Sequence, residues 1–385
     1  MGEAKLKNTK KIKLVFEKFQ IYLQVRHLQK AYRIAQKYDK DAGLSFLDRT
    51  PSRTPLGARH LFEAAFAPDE ESWLTHLNEW GRTANLPNIQ LTKDGGHRFS
   101  RIKFELFAPV DSPDLVTIII PCFNAENDIE QAVRSIQQQT WQNIEIIVVN
   151  DKSSDNTGTI LNRLAAKDQR IKVLHNIVNV GPYASKNRAL ALAKGRYVTG
   201  HDSDDIALPN RIELQIRSLT SSSGAKATVG NMLKISPDGK IKLIRPRPRL
   251  TWDGVTKLCS ISMMCETKTF RELFGAWDSV RFGADSEMIA RMKRVLGKKF
   301  VRDRQILMIC QDRESSLSNN NITGTRVGLS PVRRSYRQNY NAWQRKADSQ
   351  EMILSFPHYP RRFEAPELMV VPAEDIIRNI RDDIF

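Results

Sequence analysis

Residues 201–205 read His-Asp-Ser-Asp-Asp and follow an apolar run that ends at Gly200. Three carboxylates within four positions repel one another: at about 4 Å and an effective dielectric near 20, each like pair costs roughly 4 kcal/mol. Three arrangements make such crowding tolerable. A hard divalent cation takes oxygen ligands and offsets the repulsion. Two carboxyls can serve as general acid and base when their environments pull their pKa values apart. Or the side chains cap helices and face water. In an extended chain Asp202 and Asp204 lie on one side, with Asp205 at the turn, which suits an ion shared with a ligand's diphosphate. Equally specific polar sequence closes three other apolar runs, at 121–124 (Pro-Cys-Phe-Asn), 150–157 and 176–189.

These four endings must be positioned by something regular. Strand patterns at 116–120, 144–149, 171–175 and 196–200 alternate with helical patterns at 125–139, 154–167, 181–194 and 209–219. Ser154 or Asp155 caps the second helix, and Pro182 sits in the first turn of the third. That order predicts an α/β fold, a Rossmann-like, mostly parallel sheet with helices on both faces; its strands are apolar throughout, as a doubly covered sheet requires. Ligands of such sheets bind beyond the carboxyl ends of the strands, so Asp151 and Asp155 share an edge with residues 202–205. After residue 220 the pattern loosens into strand-like pieces at 226–235, 240–245, 260–265 and 305–310, a helix at 285–296, a helix at 331–347 and an irregular tail. Residues 1–110 read as mostly helical. Val15, Phe19, Tyr22, Val25, Leu28, Tyr32 and Ala35 line one face between Lys10 and Lys40, shorter helices follow near 56–67 and 69–83, and the stretch from Thr83 to His97 reads as loop. The expected divisions are therefore 1–110, 111–330 and 331–385.

The chain has 385 residues, 41% hydrophobic and 27% charged, with a net charge of +17, ordinary for a folded protein and favourable for anionic partners. No apolar run is long enough to span a bilayer, and the opening residues lack the apolar stretch of a secretory signal. The four cysteines form no Cys-x-x-Cys pair and read as buried reduced thiols. No phosphate-binding GxxxxGK[ST] loop, dinucleotide GxGxxG, HExxH or GxSxG is present. Basic residues do not interleave with aromatics, so no specific nucleic-acid partner is expected.

The run VTIIIPCFNAENDIEQAVRSIQQQTWQNIEIIVVNDKSSDNT (116–157) resembles the opening of a family 2 glycosyltransferase with the GT-A fold. NVGPYASKNRALALAKGRYVTGHDSDDIALPNRI (179–212) resembles that family's next block, and LFGAWDSVRFGADSEMIARM (273–292) its acceptor-side block. The resemblance covers about 115–300 and leaves both ends of the chain outside it. It implies an enzyme that moves a sugar from a nucleotide diphosphate donor, UDP favoured, to a saccharide or lipid-linked acceptor, with inversion and in one displacement. By position, Phe123 and Asn124 would line the nucleobase pocket, Asp151 would accept a hydrogen bond from the base, Arg188 would orient or close the pocket, and Asp202 would face the ribose. Pro121 and Ser203 complete that donor-binding set. Asp204, with Asp205, would bind Mn²⁺ or Mg²⁺ against the donor phosphates. Asp285 falls where the family's catalytic base lies. Two departures follow: Asn150 replaces the usual first Asp after the second strand, and Ala284 replaces the usual Glu before the base, which leaves Glu287 as a rival base or as the acid that orients the acceptor.

Plainer roles stand beside these. His201 reads as a strand-end hydrogen-bonding residue, Lys186 as a solvated helix face and Asp155 as a helix cap; Trp277 would stack on a sugar or fill core, and Arg313 with the following Glu-Ser-Ser-Leu-Ser would cover the donor phosphates or form a plain loop. Two other functions fit the charge and the sheet, a nucleotidyltransferase and a non-catalytic module for polyanions. The expected setting is a bacterial cytoplasm, in cell-surface polysaccharide synthesis, with residues 1–100 docking the chain to the inner membrane or a partner protein.

Overall fold

Apolar side chains from Val116 to Ile120 and from Ile144 to Val149 are almost all excluded from water, and they lie at the core of the larger part of the fold. The computed structural model describes residues 23–24, 26–49, 57–93, 95–221, 224–241, 255–314, 316–317, 319, 322–324 and 328–380. The described chain divides into two compact units: 1–105 with 231–258 and 309–312, and 106–230 with 259–308 and 313–385.

In the first unit a helical stretch over 26–37 is followed by α1 (Lys40–Asp48), α2 (Ala58–Ala65) and α3 (Glu70–Thr83). The amphipathic pattern read from Lys10 to Lys40 is borne out over 26–37, where Leu28, Ala31 and Ala35 are buried; residues 10–22 and Val25 lie outside the described residues. Gly43 of α1 allows this packing, since a Cβ there would lie 2.4 Å from the Phe62 ring and 3.0 Å from the Ala31 carbonyl oxygen. Asp69 caps α3 by accepting a hydrogen bond from Ser72 N at 2.8 Å, and Glu70 and Glu71 follow in its first turn, where carboxylates favour the positive helix end. The stretch from Thr83 to His97 is not all loop: β1 (Ile89–Leu91) pairs antiparallel with β2 (Ile102–Phe104). Three-residue strands carry too little alternation to stand out in sequence.

In the second unit β3 (Val116–Cys122), β4 (Ile144–Asn150), β5 (Ile171–His175) and β6 (Tyr197–Gly200) form the expected parallel sheet in the spatial order β5-β4-β3-β6. The order reverses at β3, so the carboxyl ends of β3, β4 and β6 open onto a topological switch point. The crossovers are α4 (Ile129–Gln137), α5 (Thr157–Lys167) and α6 (Gly181–Leu192); β7 (Ile206–Ala207) and α7 (Arg211–Thr220) follow β6. Beyond β6 the sheet continues through β10 (Met264–Glu266), β8 (Ala227–Ile235), β11 (Phe300–Gln311) and β7; β9 (Lys257–Leu258), which pairs with Asn231 and Met232 of β8, belongs to the first unit. β10 runs antiparallel to both β6 and β8. Of the strand expected at 240–245, Ile241 forms a bridge to Ile235 and residues 242–245 lie outside the described residues.

The remaining helices are α8 (Thr267–Leu273), α9 (Ala284–Leu296), α10 (Pro331–Lys346) and α11 (Ala373–Ile380). α11 corrects the expectation of an irregular tail; its Asn379 Oδ1 accepts hydrogen bonds from Ile177 N and Val178 N at 2.8 and 3.0 Å. The four cysteines are buried free thiols. Among the described residues no helix is long and apolar enough to cross a membrane.

Candidate active site

The loop after β3 is built to expose Phe123. Asn124 takes a left-handed backbone, φ 49°, which Asn tolerates better than most residues. Its Oδ1 accepts from Ser154 N at 2.9 Å and its N donates to Ser153 Oγ at 3.0 Å. The turn after β4 is thereby tied to the turn after β3, with Pro121 buried at the strand end and Phe123 half exposed between them. Asp155 lies one residue before Asn156, the N-cap of α5, and its carboxylate accepts from Thr157 N at the helix start and from Glu126 N. Asn150 is engaged below the turn, its Oδ1 accepting from Ser153 N and its Nδ2 lying 3.2 Å from His175 Nδ1.

Asp151 is turned inward. Its Oδ1 accepts from Asn176 Nδ2 at 2.7 Å and Val180 N at 3.0 Å, and its Oδ2 from Gly181 N at 2.7 Å. Burial pushes its carboxyl up despite these donors. The side chain that the sequence assigns to the nucleobase is therefore occupied in holding the start of α6. Arg188 supports the same knot by donating from Nη1 to the His175 carbonyl at 2.9 Å and to Asn176 Oδ1 at 2.7 Å. Gly181 takes φ 80°, and a Cβ there would lie 3.1 Å from Arg281 Cα.

α6 is buried nearly all round, so its polar residues face partners rather than water. This corrects the reading of Lys186 as a solvated face: its side chain is 2% exposed, and Nζ lies 3.2 Å from Asp285 Oδ1. Tyr183, one turn earlier, donates from its hydroxyl to Asp285 Oδ2 at 3.0 Å. Burial and the adjacent carboxylate hold the phenol well above its ordinary pKa, so it remains a donor. Asn187 fixes Trp277 through the Trp277 backbone N and O, and the indole is core, not exposed for stacking on a sugar.

Asp285 and Glu287 stand in the first turn of α9, two residues apart and so on opposite faces. Asp285 keeps 22% of its side chain exposed. Glu287 keeps none: Arg291 Nε lies 3.0 Å from its Oε1 and Gln344 Nε2 donates to the same oxygen at 2.9 Å. Burial pushes its carboxyl up, and Arg291 is the main opposing influence. This corrects the expectation of a rival base, because a fully buried, paired carboxylate has no access to an acceptor.

At the end of β6, buried Arg211 donates to Thr199 Oγ1 at 2.8 Å and to the Gly200 carbonyl at 2.6 Å, and its Nη1 lies 3.2 Å from His201 Nδ1. Burial and that guanidinium hold His201 neutral, its pKa well below the usual range. Asp202, Ser203 and Asp204 are partly exposed, and Asp205 is buried. Asp204 Oδ2 accepts from Arg313 Nη2 at 2.6 Å, while Arg313 Nη1 donates to Asp128 Oδ2 at 2.6 Å. Oδ1 of Asp204 makes no hydrogen bond among the described residues. A partly exposed carboxylate with one free oxygen, already paired with one cation, fits a hard divalent ion. The aspartates do not cage such an ion on their own, and Mg²⁺-like ions take one or two carboxylates and complete their shell from phosphate and water.

Sequence reasoning missed Tyr183, Asn176, Asp128 and Arg211. The Tyr-x-x-Lys spacing at 183–186 is visible, but only the long-range approach of α9 shows its use.

Residues 117–271 match the family model described as Glycosyl transferase family 2. The chain is 37% identical over 118 residues to the glycosyltransferase GlyG of Streptococcus pneumoniae serotype 4, covering 31% of this chain and 39% of that one. It is 36% identical over 151 residues to the UDP-Glc:alpha-D-GlcNAc-diphosphoundecaprenol beta-1,3-glucosyltransferase WfgD of Escherichia coli, covering 39% and 58%. The chain spans about half the length of the curated relatives it matches. Staphylococcus aureus TarS 1–349, solved with UDP, aligns at a TM-score of 0.41 and 18% identity over 52% of this chain and 61% of that one. The parallel-sheet part of this chain is a family 2 glycosyltransferase domain.

Proposed function

We propose that the chain is an inverting glycosyltransferase that moves a sugar from a nucleotide diphosphate donor, UDP favoured, to a saccharide or lipid-linked acceptor. The observation that carries this reading is Asp285: a partly exposed carboxylate in the first turn of α9, aimed by Tyr183 and Lys186. Support for the donor and acceptor classes comes from the WfgD relative, whose name states a UDP-glucose donor and a diphosphoundecaprenol-linked acceptor.

In the proposed reaction Asp285 takes the proton of an acceptor hydroxyl as that oxygen attacks the anomeric carbon. The bond from the anomeric carbon to the donor phosphate breaks, and its electron pair leaves with the nucleoside diphosphate. Phe123 offers its exposed ring to the base, and Asn124, held by Ser153 and Ser154, fixes the loop beneath it. Asp151 and Arg188 act one step back by shaping the 176–181 loop. Asp202 would face the ribose, with Ser203 beside it in the β6 loop as part of the donor-binding set. Asp204, with Asp205 behind it, would hold Mn²⁺ or Mg²⁺, which as a Lewis acid stabilises charge on the departing diphosphate. The chain would work at the cytoplasmic face of a bacterial inner membrane, in cell-surface polysaccharide synthesis, with residues 1–100 serving a membrane or protein contact.

The test is a transfer assay with UDP-sugars and undecaprenyl-diphosphate-linked acceptors, with and without Mn²⁺, on the full chain. Metal-dependent release of UDP matched by glycosylated acceptor is expected. Absence of transfer from UDP-, GDP- and CDP-sugars alike would overturn the reading.

A further inference from the structure

We propose that His60, Glu63 and His76 form a zinc-binding site that ties α2 to α3 in the first unit, separate from any ion at Asp204. His60 and Glu63 are three residues apart and share one face of α2. His76 comes from α3, after the turn at 66–69. Their candidate ligand atoms all lie within 4.8 Å of one another. Glu63 Oε2 is 3.2 Å from His76 Nδ1 and 3.6 Å from His60 Nδ1. A tetrahedral ion held at about 2.0–2.2 Å sets its ligand atoms roughly 3.3–3.6 Å apart, close to the two separations from Glu63 Oε2.

Proximity alone would also describe two imidazoles hydrogen-bonded to a carboxylate. The geometry is different. Both Nδ1 atoms are shielded from solvent, and neither makes a hydrogen bond, although each lies close to the same oxygen. Buried polar nitrogens are rarely left so, because desolvation is then uncompensated. The two rings lie nearly parallel, 27° apart with centroids at 6.2 Å. The other oxygen of Glu63 is engaged elsewhere: Oε1 accepts from Arg59 Nε at 3.3 Å, and Arg59 Nη1 in turn donates to Asp48 Oδ1 at 2.6 Å. That second layer holds the carboxylate so that Oε2 faces the two nitrogens, as outer partners of metal ligands do.

Two imidazoles and one carboxylate suit Zn²⁺, whereas Mg²⁺ and Mn²⁺ prefer oxygen alone. The imidazole side chains are 36% and 28% exposed, so water can complete the shell. The ligands come from two different helices, so binding is a cross-link that favours the folded unit.

The experiment uses the full chain, free of any polyhistidine tag and stripped with a chelator. Zn²⁺ is titrated against a competing indicator, and thermal unfolding is followed with and without Zn²⁺. One equivalent bound, and a midpoint raised by roughly 5 °C at Zn²⁺ well above its dissociation constant, is expected. Both should vanish in the His60→Gln/His76→Gln double variant and persist in Asp204→Ala. Should the double variant not fold, Co²⁺ added to wild type decides: the intense visible spectrum of a tetrahedral site supports the proposal. A weak octahedral spectrum, or wild type binding no more Zn²⁺ than the double variant, overturns it.

Discussion

Asp285 and Glu287 share one helical turn and meet opposite fates. Around Asp285 two donors, Tyr183 and Lys186, fix a carboxylate that still reaches solvent. Around Glu287 the structure closes completely, and its partner Arg291 also donates to the carbonyls of Phe274, Met352 and Ala276. Close by in sequence, Asp278 is enclosed in the same way, by Tyr336 and Arg361 at 2.7 Å and His358 at 2.8 Å. The comparison teaches that charge alone does not mark a reactive residue in this domain. On the proposed reading, what marks it is a carboxylate held in place with access left over.

The largest test of that contrast is Asp285→Asn. It should lower turnover by about 10²- to 10⁴-fold in the transfer assay, the usual range for a lost general base, with the thermal midpoint unchanged. A midpoint that fell with activity would put Asp285 in the same class as Glu287. Next is Glu287→Ala, which strands Arg291 without its counter-charge and should cost about 3–5 kcal/mol in urea unfolding. A variant that kept wild-type stability but lost turnover would reverse the two roles. Lys186→Met removes one of the two groups that aim Asp285 while keeping most of the buried volume. It should lower kcat about tenfold and leave the KM for donor unchanged, read from initial rates. An unchanged kcat would mean that Tyr183 alone is sufficient. The smallest effect concerns acid. Asp278 is buried, which raises its pKa, but His358 and Arg361 outweigh this and hold it below the usual carboxylate value. Its contribution to stability is present above the unfolded pKa and is lost as pH falls through the folded one. Urea midpoints should therefore decline on acidification below about pH 4, and less so in Asp278→Asn, compared at matched denaturant.

The four parallel strands were legible because each is a short, continuous apolar run bounded by polar turns, and such runs mark strands covered on both faces. The aspartates at 202–205 and the acid pair on α9 were legible for a similar reason: their types and spacing are local. What the sequence did not disclose is which polar groups are used up. Lys186 looks like an ordinary exposed lysine because a helix buried on every side shows no periodicity to betray it. Asp151 follows its strand as an available acid would, yet its donors come from residues 176–181, on the far side of α5 and β5. His60 and Glu63 are near neighbours, but His76 joins them only once α3 has folded back beside α2.

The knot at Asp151 carries one further implication. The start of a helix is the usual place for a fold to receive phosphate, because its free amides and dipole favour negative charge. At α6 that position is already plugged by the protein's own anion, with Val180 N and Gly181 N both committed to Asp151. A diphosphate approaching this sheet edge gains no neutralisation from that helix end. On the proposed reading, its charge is balanced instead by what gathers at Asp204: Arg313 and a divalent ion. That would make the enzyme's donor affinity strongly dependent on the supply of metal.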